Sequence, residues 1–187
     1  MPGRTSVLLA LLVPAGCAYV TPPPDTARLP PNAFGIYADG DVGAINQAAW
    51  AFADPSRTRN NPADAARAAA AVDYLAGELN TSPRWQFMSV LTKMEILQAR
   101  AEVRHALGIA PASPSQEVVN RLLYAGNLVT TANPAAAETA LQPPVLTLPP
   151  PQTMAILTNM PFLHEVNVAT QHALLQEQPN GSNSFDQ

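Results

Sequence analysis

The sequence predicts an all-α protein, a single antiparallel bundle of about five to six helices with an extended proline-rich crossover. Three observations predict it. A capping residue stands directly before proline at Asp54-Pro55, Asn61-Pro62, Ser82-Pro83, Ser113-Pro114 and Asn133-Pro134. Such pairs open helices, because the Asp, Asn or Ser oxygen accepts from a first-turn N–H and proline has no N–H to lose at the next position. Apolar residues follow at spacings of three and four, the period of one helix face. No segment alternates with period two for long enough to form a sheet.

Each element has its own signal. Over 41–53, Ile45, Ala48, Ala49 and Phe52 share a face, and Asp54-Pro55 marks the stop. Asn61-Pro62 opens a helix over 62–80, with Asp64 placing a negative charge in the first turn, where the helix dipole favours it. Ala65, Ala68, Val72, Leu75 and Leu79 form a narrow seam suited to close packing. Ser82-Pro83 predicts a start for the next helix, 83–107, with Phe87, Val90, Leu91, Met94, Leu97 and Ala101 as its apolar face. Gly108 then ends it, with Ile109 and Pro111 beyond. Ser113 and Gln116 have capping-box spacing for a helix over 114–131 lined by Val118, Leu122, Ala125 and Val129. A short piece covers 135–141. The run Pro143 to Pro151 must be extended, a crossover that lays Val145, Leu146 and Leu148 on the bundle. Two last pieces cover 152–159 and 161–177, the second lined by Phe162, Val166, Ala169 and Ala173. The bundle domain is thus 41–177, and the polar stretch 178–187 has the composition of a disordered tail.

Composition narrows the function. The chain has 187 residues, enough for one domain with appended segments. Charged residues are 13%, half the usual share of about 25%. Net charge is −4, and no Lys or Arg follows Arg121, so the acidic C-terminal third offers nothing to grip phosphates. Nucleic acid is not an expected partner; a protein of the cell envelope is a candidate one, and the acidic end suits either a basic surface or plain solvation. One cysteine excludes an internal disulfide and a cysteine-rich zinc site.

The N-terminus reads as an address. Met1 to Ser6 carries one positive charge, Val7 to Val13 is wholly apolar, and Pro14-Ala15-Gly16-Cys17 follows. A basic start, a short apolar run and small residues make a secretory signal peptide over 1–16. The run is too short to span a bilayer, which takes about 20 residues. Ala15-Gly16-Cys17 resembles the lipobox of bacterial lipoprotein precursors, although Pro14 stands where that family usually has leucine. The resemblance covers the first tenth of the chain. It implies cleavage before Cys17, a diacylglyceryl thioether on its sulfur, an acylated new N-terminus and hence a membrane anchor. Ala18 after the cysteine goes, in that family, with sorting to the outer membrane, where the domain would face the periplasm. Ordinary signal-peptidase cleavage after Ala15 or Ala18 is the alternative, giving a soluble periplasmic protein. Residues 17–40 contain five prolines and read as a tether, extended at about 3.1 Å per residue and so reaching roughly 70 Å. Phe34, Ile36 and Tyr37 are its candidates for docking on the domain.

Chemistry is sparse. His164-Glu165 begins like HExxH, but position 168 is valine, and His172 lies about 12 Å further along a helix. His105 falls on another helix, so no metal site is expected, and no cofactor fingerprint is present. Glu78, Glu95, Glu102 and Glu117 are candidates for paired-carboxylate hydrolysis of cell wall, but each also suits a solvated helix face, with Arg100 and Arg104 as balancing charges for Glu95 and Glu102. Arg84, Trp85, Trp50 and Tyr74 are candidate binding residues, since Arg, Trp and Tyr dominate binding hot spots. The function expected is a non-catalytic interaction domain on an envelope lipoprotein. The alternatives are a carrier of a small apolar ligand or lipid, and a wall-active enzyme.

Overall fold

Proline and capping signals set most of the helix boundaries. The computed structural model describes residues 24–35, 37–131 and 133–177. The expected signal peptide, Cys17, the first part of the tether, Ile36 and the tail lie outside the described residues. Among those described, seven α-helices form an antiparallel bundle: α1 (Gly40–Ala53), α2 (Pro62–Thr81), α3 (Val90–Leu107), α4 (Ser115–Thr130), α5 (Pro134–Ala140), α6 (Pro150–Thr158) and α7 (His164–Gln176). The architecture is all-α as predicted, with an isolated bridge between Ile109 and Leu146 as the only β pairing among the described residues.

α2 is the axis, packing against α1, α3, α4 and α6. Its seam is wider than the sequence spacing predicts: Ala66, Ala69, Ala70, Ala71 and Ala76 are buried along with Ala65, Ala68, Val72, Leu75 and Leu79. Alanine makes this possible, because methyl-sized side chains let helices approach from several sides. Asn61 caps α2 in both directions: its Oδ1 accepts from Asp64 N at 3.3 Å and its Nδ2 donates to Asp64 Oδ2 at 2.6 Å. The crossover lies as expected, with Val145 and Leu146 buried. Thr147 N donates to Gly108 O at 2.7 Å. Gly108 ends α3 with φ 66°, and a Cβ there would stand 2.3 Å from Leu148 Cγ, so both the turn and the crossover need glycine.

α3 departs from the expectation twice. Ser82-Pro83 opens only a 3-10 turn, Pro83–Trp85, and α3 starts at Val90, where Ser89 accepts from Thr92 N at 3.1 Å. The buried face is Thr92, Ile96, Ala99, Val103 and Leu107. The row predicted as core faces solvent: Val90 is 73% exposed, Leu91 63% and Leu97 37%, with Phe87 and Met94 also exposed. α3 is apolar on both faces, and spacing alone selected the wrong one. Phe162 likewise precedes α7 and is exposed, while Val166, Ala169 and Ala173 are core as predicted.

The N-terminal strap supplies a cap the sequence reading assigned elsewhere. Ser113 does not cap α4; its Oγ donates to Val145 O at 3.4 Å. Asp25 does so instead, accepting from Ser115 N at 2.8 Å and from Ser115 Oγ at 2.9 Å. Gln116 turns to the strap as well, exchanging bonds with the backbone of Arg28. The strap passes so close to α2 that a Cβ on Gly77 would stand 2.6 Å from Asp25 O. Ala27 and Phe34 are buried. Residues 24–30 therefore run without helix or strand, as the prolines require, and 31–35 turn, with Ala33 N donating to Pro30 O at 3.3 Å, but the whole strap is held against the bundle. Asp25→Ala will lower stability by about 1–2 kcal/mol, the range for a lost cap, read as a shift of the urea midpoint.

Candidate functional site

Two polar clusters and one apolar surface are the features with functional potential. The first cluster joins the N-terminus of α1, the middle of α2 and the 3-10 turn before α3. Asp39 caps α1, accepting from Asp41 N at 3.0 Å. Arg84 reaches both carboxylates: Nη1 donates to Asp39 Oδ1 at 2.9 Å and to Asp41 Oδ2 at 3.1 Å, and Nη2 pairs with Asp39 Oδ2. Trp85 Nε1 donates to Asp41 Oδ2 at 3.0 Å, and the Tyr74 hydroxyl donates to Asp41 Oδ1. The Arg84 guanidinium lies 4.7 Å from the Trp85 ring centre, a cation–π distance. The Arg84 bond holds the Asp39 carboxyl below its usual range. Burial, then the bond to Asp41, pushes the Tyr74 phenol well above its usual value.

The structure thus brings together Arg84, Trp85 and Tyr74, and adds Asp39 and Asp41, which residue type alone did not single out. Trp50 is not among them. It lies nine residues beyond Asp41 on α1, about 13 Å along the axis, exposed, with its carbonyl accepting from Arg57. Trp85 is 1% exposed. Its ring fills the space between helices while its N–H is satisfied by Asp41, as buried tryptophan requires. The cluster functions as a lock between α1, α2 and the entry to α3.

The second cluster lies in the core. Arg104 pairs in bidentate fashion with Asp73, Nε to Oδ2 at 2.7 Å and Nη2 to Oδ1 at 2.8 Å. Its remaining N–H groups donate to the carbonyls of Pro111 and Ser113 and to Ser115 Oγ. Burial opposes the charge on Arg104, but the bond and charge of Asp73, with Asp25 beyond, hold its pKa above the usual value. All five guanidinium donors are engaged, so the group holds α2, α3 and the α3–α4 turn together and has none left for a ligand.

The glutamates are dispersed. Glu95 bonds His172 Nδ1 at 2.7 Å rather than balancing Arg100, which pairs with Asp25 at 3.2 Å. Glu102 does not meet Arg104 either, and its Oε2 is buried without a hydrogen-bond partner. Glu95 and Glu102 stand two turns apart on α3, about 10 Å along its axis. Glu78 is on α2 and Glu117 at the start of α4. His164 begins α7 beside Phe162, and His105 is on α3. No three of His, Cys, Asp or Glu converge among the described residues, and none of the described helices is long and apolar enough to cross a membrane.

The apolar surface is the outward face of α3. At its C-terminal end it opens into a groove of about 530 Å³ bounded by Leu97, Ala101, His105, Ile109 and Leu148. Apolar walls with a few polar groups at the rim are the usual make-up of a small-molecule pocket. No protein-family model matches the chain, and no curated protein or solved structure is significantly similar to it.

Proposed function

We propose that this chain is a membrane-anchored envelope lipoprotein, held by lipid on Cys17 at the periplasmic side of the outer membrane, whose bundle is a non-catalytic contact module. The observation that carries the contact role is the outward face of α3. Apolar residues exposed singly are ordinary, whereas neighbours exposed along one helix face mark a contact surface. The anchoring rests on the apolar run ending in Ala15-Gly16-Cys17. Its test is the intact mass of the mature protein purified from the membrane and soluble fractions of its own host. A membrane-bound species beginning at an acylated Cys17 is expected. An unmodified soluble species beginning after Ala15 or Ala18 overturns the anchor.

The groove beside Leu97 and Leu148 favours one second reading, a carrier of a small apolar ligand or lipid. It requires that protein purified without detergent retain a lipid in native mass spectrometry.

A further inference from the structure

α3 carries two apolar faces, and the bundle uses only one. The outward row is Val90, Met94, Leu97 and Ala101, all within about 60° of one another around the helix and about 16 Å from end to end. Leu91, to one side of the row, and Phe87, in the segment before α3, are exposed as well. Charge is confined to its margins: Lys93 and Arg100, the latter paired with Asp25, along one edge, and Glu95 and Glu102 beyond Leu91 on the other. Helices with Phe, Leu and Met on one side and basic residues beside them lie in the headgroup boundary of bilayers.

The chain's point of entry brings such a bilayer within range. The described chain begins at Pro24, and the carboxylate of the next residue, Asp25, bonds Arg100 Nη1 at 3.2 Å. The described strap therefore begins at the Arg100 edge of the α3 row. Seven residue steps separate Cys17 from Pro24, at most about 25 Å of chain. A lipid on Cys17 keeps that edge of α3 within this distance of the membrane at all times. Contact of the row with the bilayer is then intramolecular, at high effective concentration, and needs little intrinsic affinity.

We infer that the outward face of α3, with Phe87, is a second membrane contact that lays the bundle on the bilayer holding its anchor. This rests on the anchoring proposed above. It replaces a bundle held far out on a tether with one pressed to the surface.

The sole cysteine makes the test clean. Mature protein beginning at Cys17 is coupled through the thiol to a maleimide lipid in phosphatidylethanolamine–phosphatidylglycerol vesicles, and compared with uncoupled protein in solution. The probe is the rate at which dilute peroxide oxidises Met94, read by peptide mass spectrometry, with Met154 on α6 as internal reference. On vesicles Met94 oxidation is expected to slow at least tenfold while Met154 is unchanged. The variant Val90→Glu/Leu91→Glu is expected to restore the solution rate. Both positions are exposed and in the first turn of α3, where acidic residues suit the dipole, so the bundle still folds. Equal Met94 rates on and off vesicles overturn the inference, as does protection that survives the double substitution. Protection in uncoupled protein that grows with concentration, with a doubled mass in light scattering, assigns the face to a second copy and also overturns it. The coupling supplies the anchor chemically, so this result is independent of whether the host acylates Cys17, which the intact mass decides separately.

Discussion

Asp73→Ala will destabilise the bundle by about 3–5 kcal/mol, the cost of leaving a buried charge without its partner. Arg104 cannot swing out to water, because its other donors are fixed by the carbonyls of Pro111 and Ser113 and by Ser115. The carboxylate at Asp73 is all but fully buried, so the lost pair is not screened by solvent. Asp73→Leu combined with Arg104→Met will recover part of the loss, since apolar groups of similar volume replace buried ion pairs at little cost. Urea unfolding of both variants measures this, provided the slope with denaturant stays constant. If the double variant is as unstable as Asp73→Ala, the pair's worth lies in the backbone contacts of Arg104 rather than in its charge.

Adjacent residues on α3 will give opposite results. Ile96→Ala will cost about 2–5 kcal/mol, because Ile96 is fully buried and its loss leaves a cavity. Leu97→Ala will cost less than about 1 kcal/mol, as changes at the surface do. The apolar spacing of the sequence assigns Leu97 to the core, and with it the larger cost. Thermal melts of the two variants therefore decide the rotation of α3, with Leu75→Ala on α2 as a core reference of about 2–5 kcal/mol.

The difference between α3 and the other helices shows what a sequence of this kind discloses. On α1, α2, α4 and α7 most polar positions face away from the core, so spacing identifies the buried side: Ile45, Leu75, Leu122 and Val166 are all core as predicted. On α3 the outward face is the more apolar, and the core face includes Thr92 and the polar Arg104. Period alone cannot rank two apolar faces. The start of α3 was obscured for a related reason. Ser82-Pro83 has the better local signal, while Ser89 becomes the cap because the Arg84–Trp85 lock ends the preceding turn. The partners of the candidate site were not legible, because they are far apart in the chain. Arg104 meets Asp73 across 31 residues and Asp25 meets Ser115 across 90. Arg84, Trp85 and Tyr74 could be picked by residue type. Asp39 and Asp41, which hold them, look like ordinary first-turn acids.

The Asp25 cap also determines how the molecule bears load. A pull on the strap from its N-terminal side enters the bundle at Asp25, whose carboxylate is joined to the first turn of α4, to Arg100 and, at 3.6 Å, to Arg104. Tension therefore passes straight into the Arg104–Asp73 pair and the central helix before it can peel Phe34 or α1 from the surface. The strap acts as a strain relief: its free side can be tugged while the helices behind it stay in register.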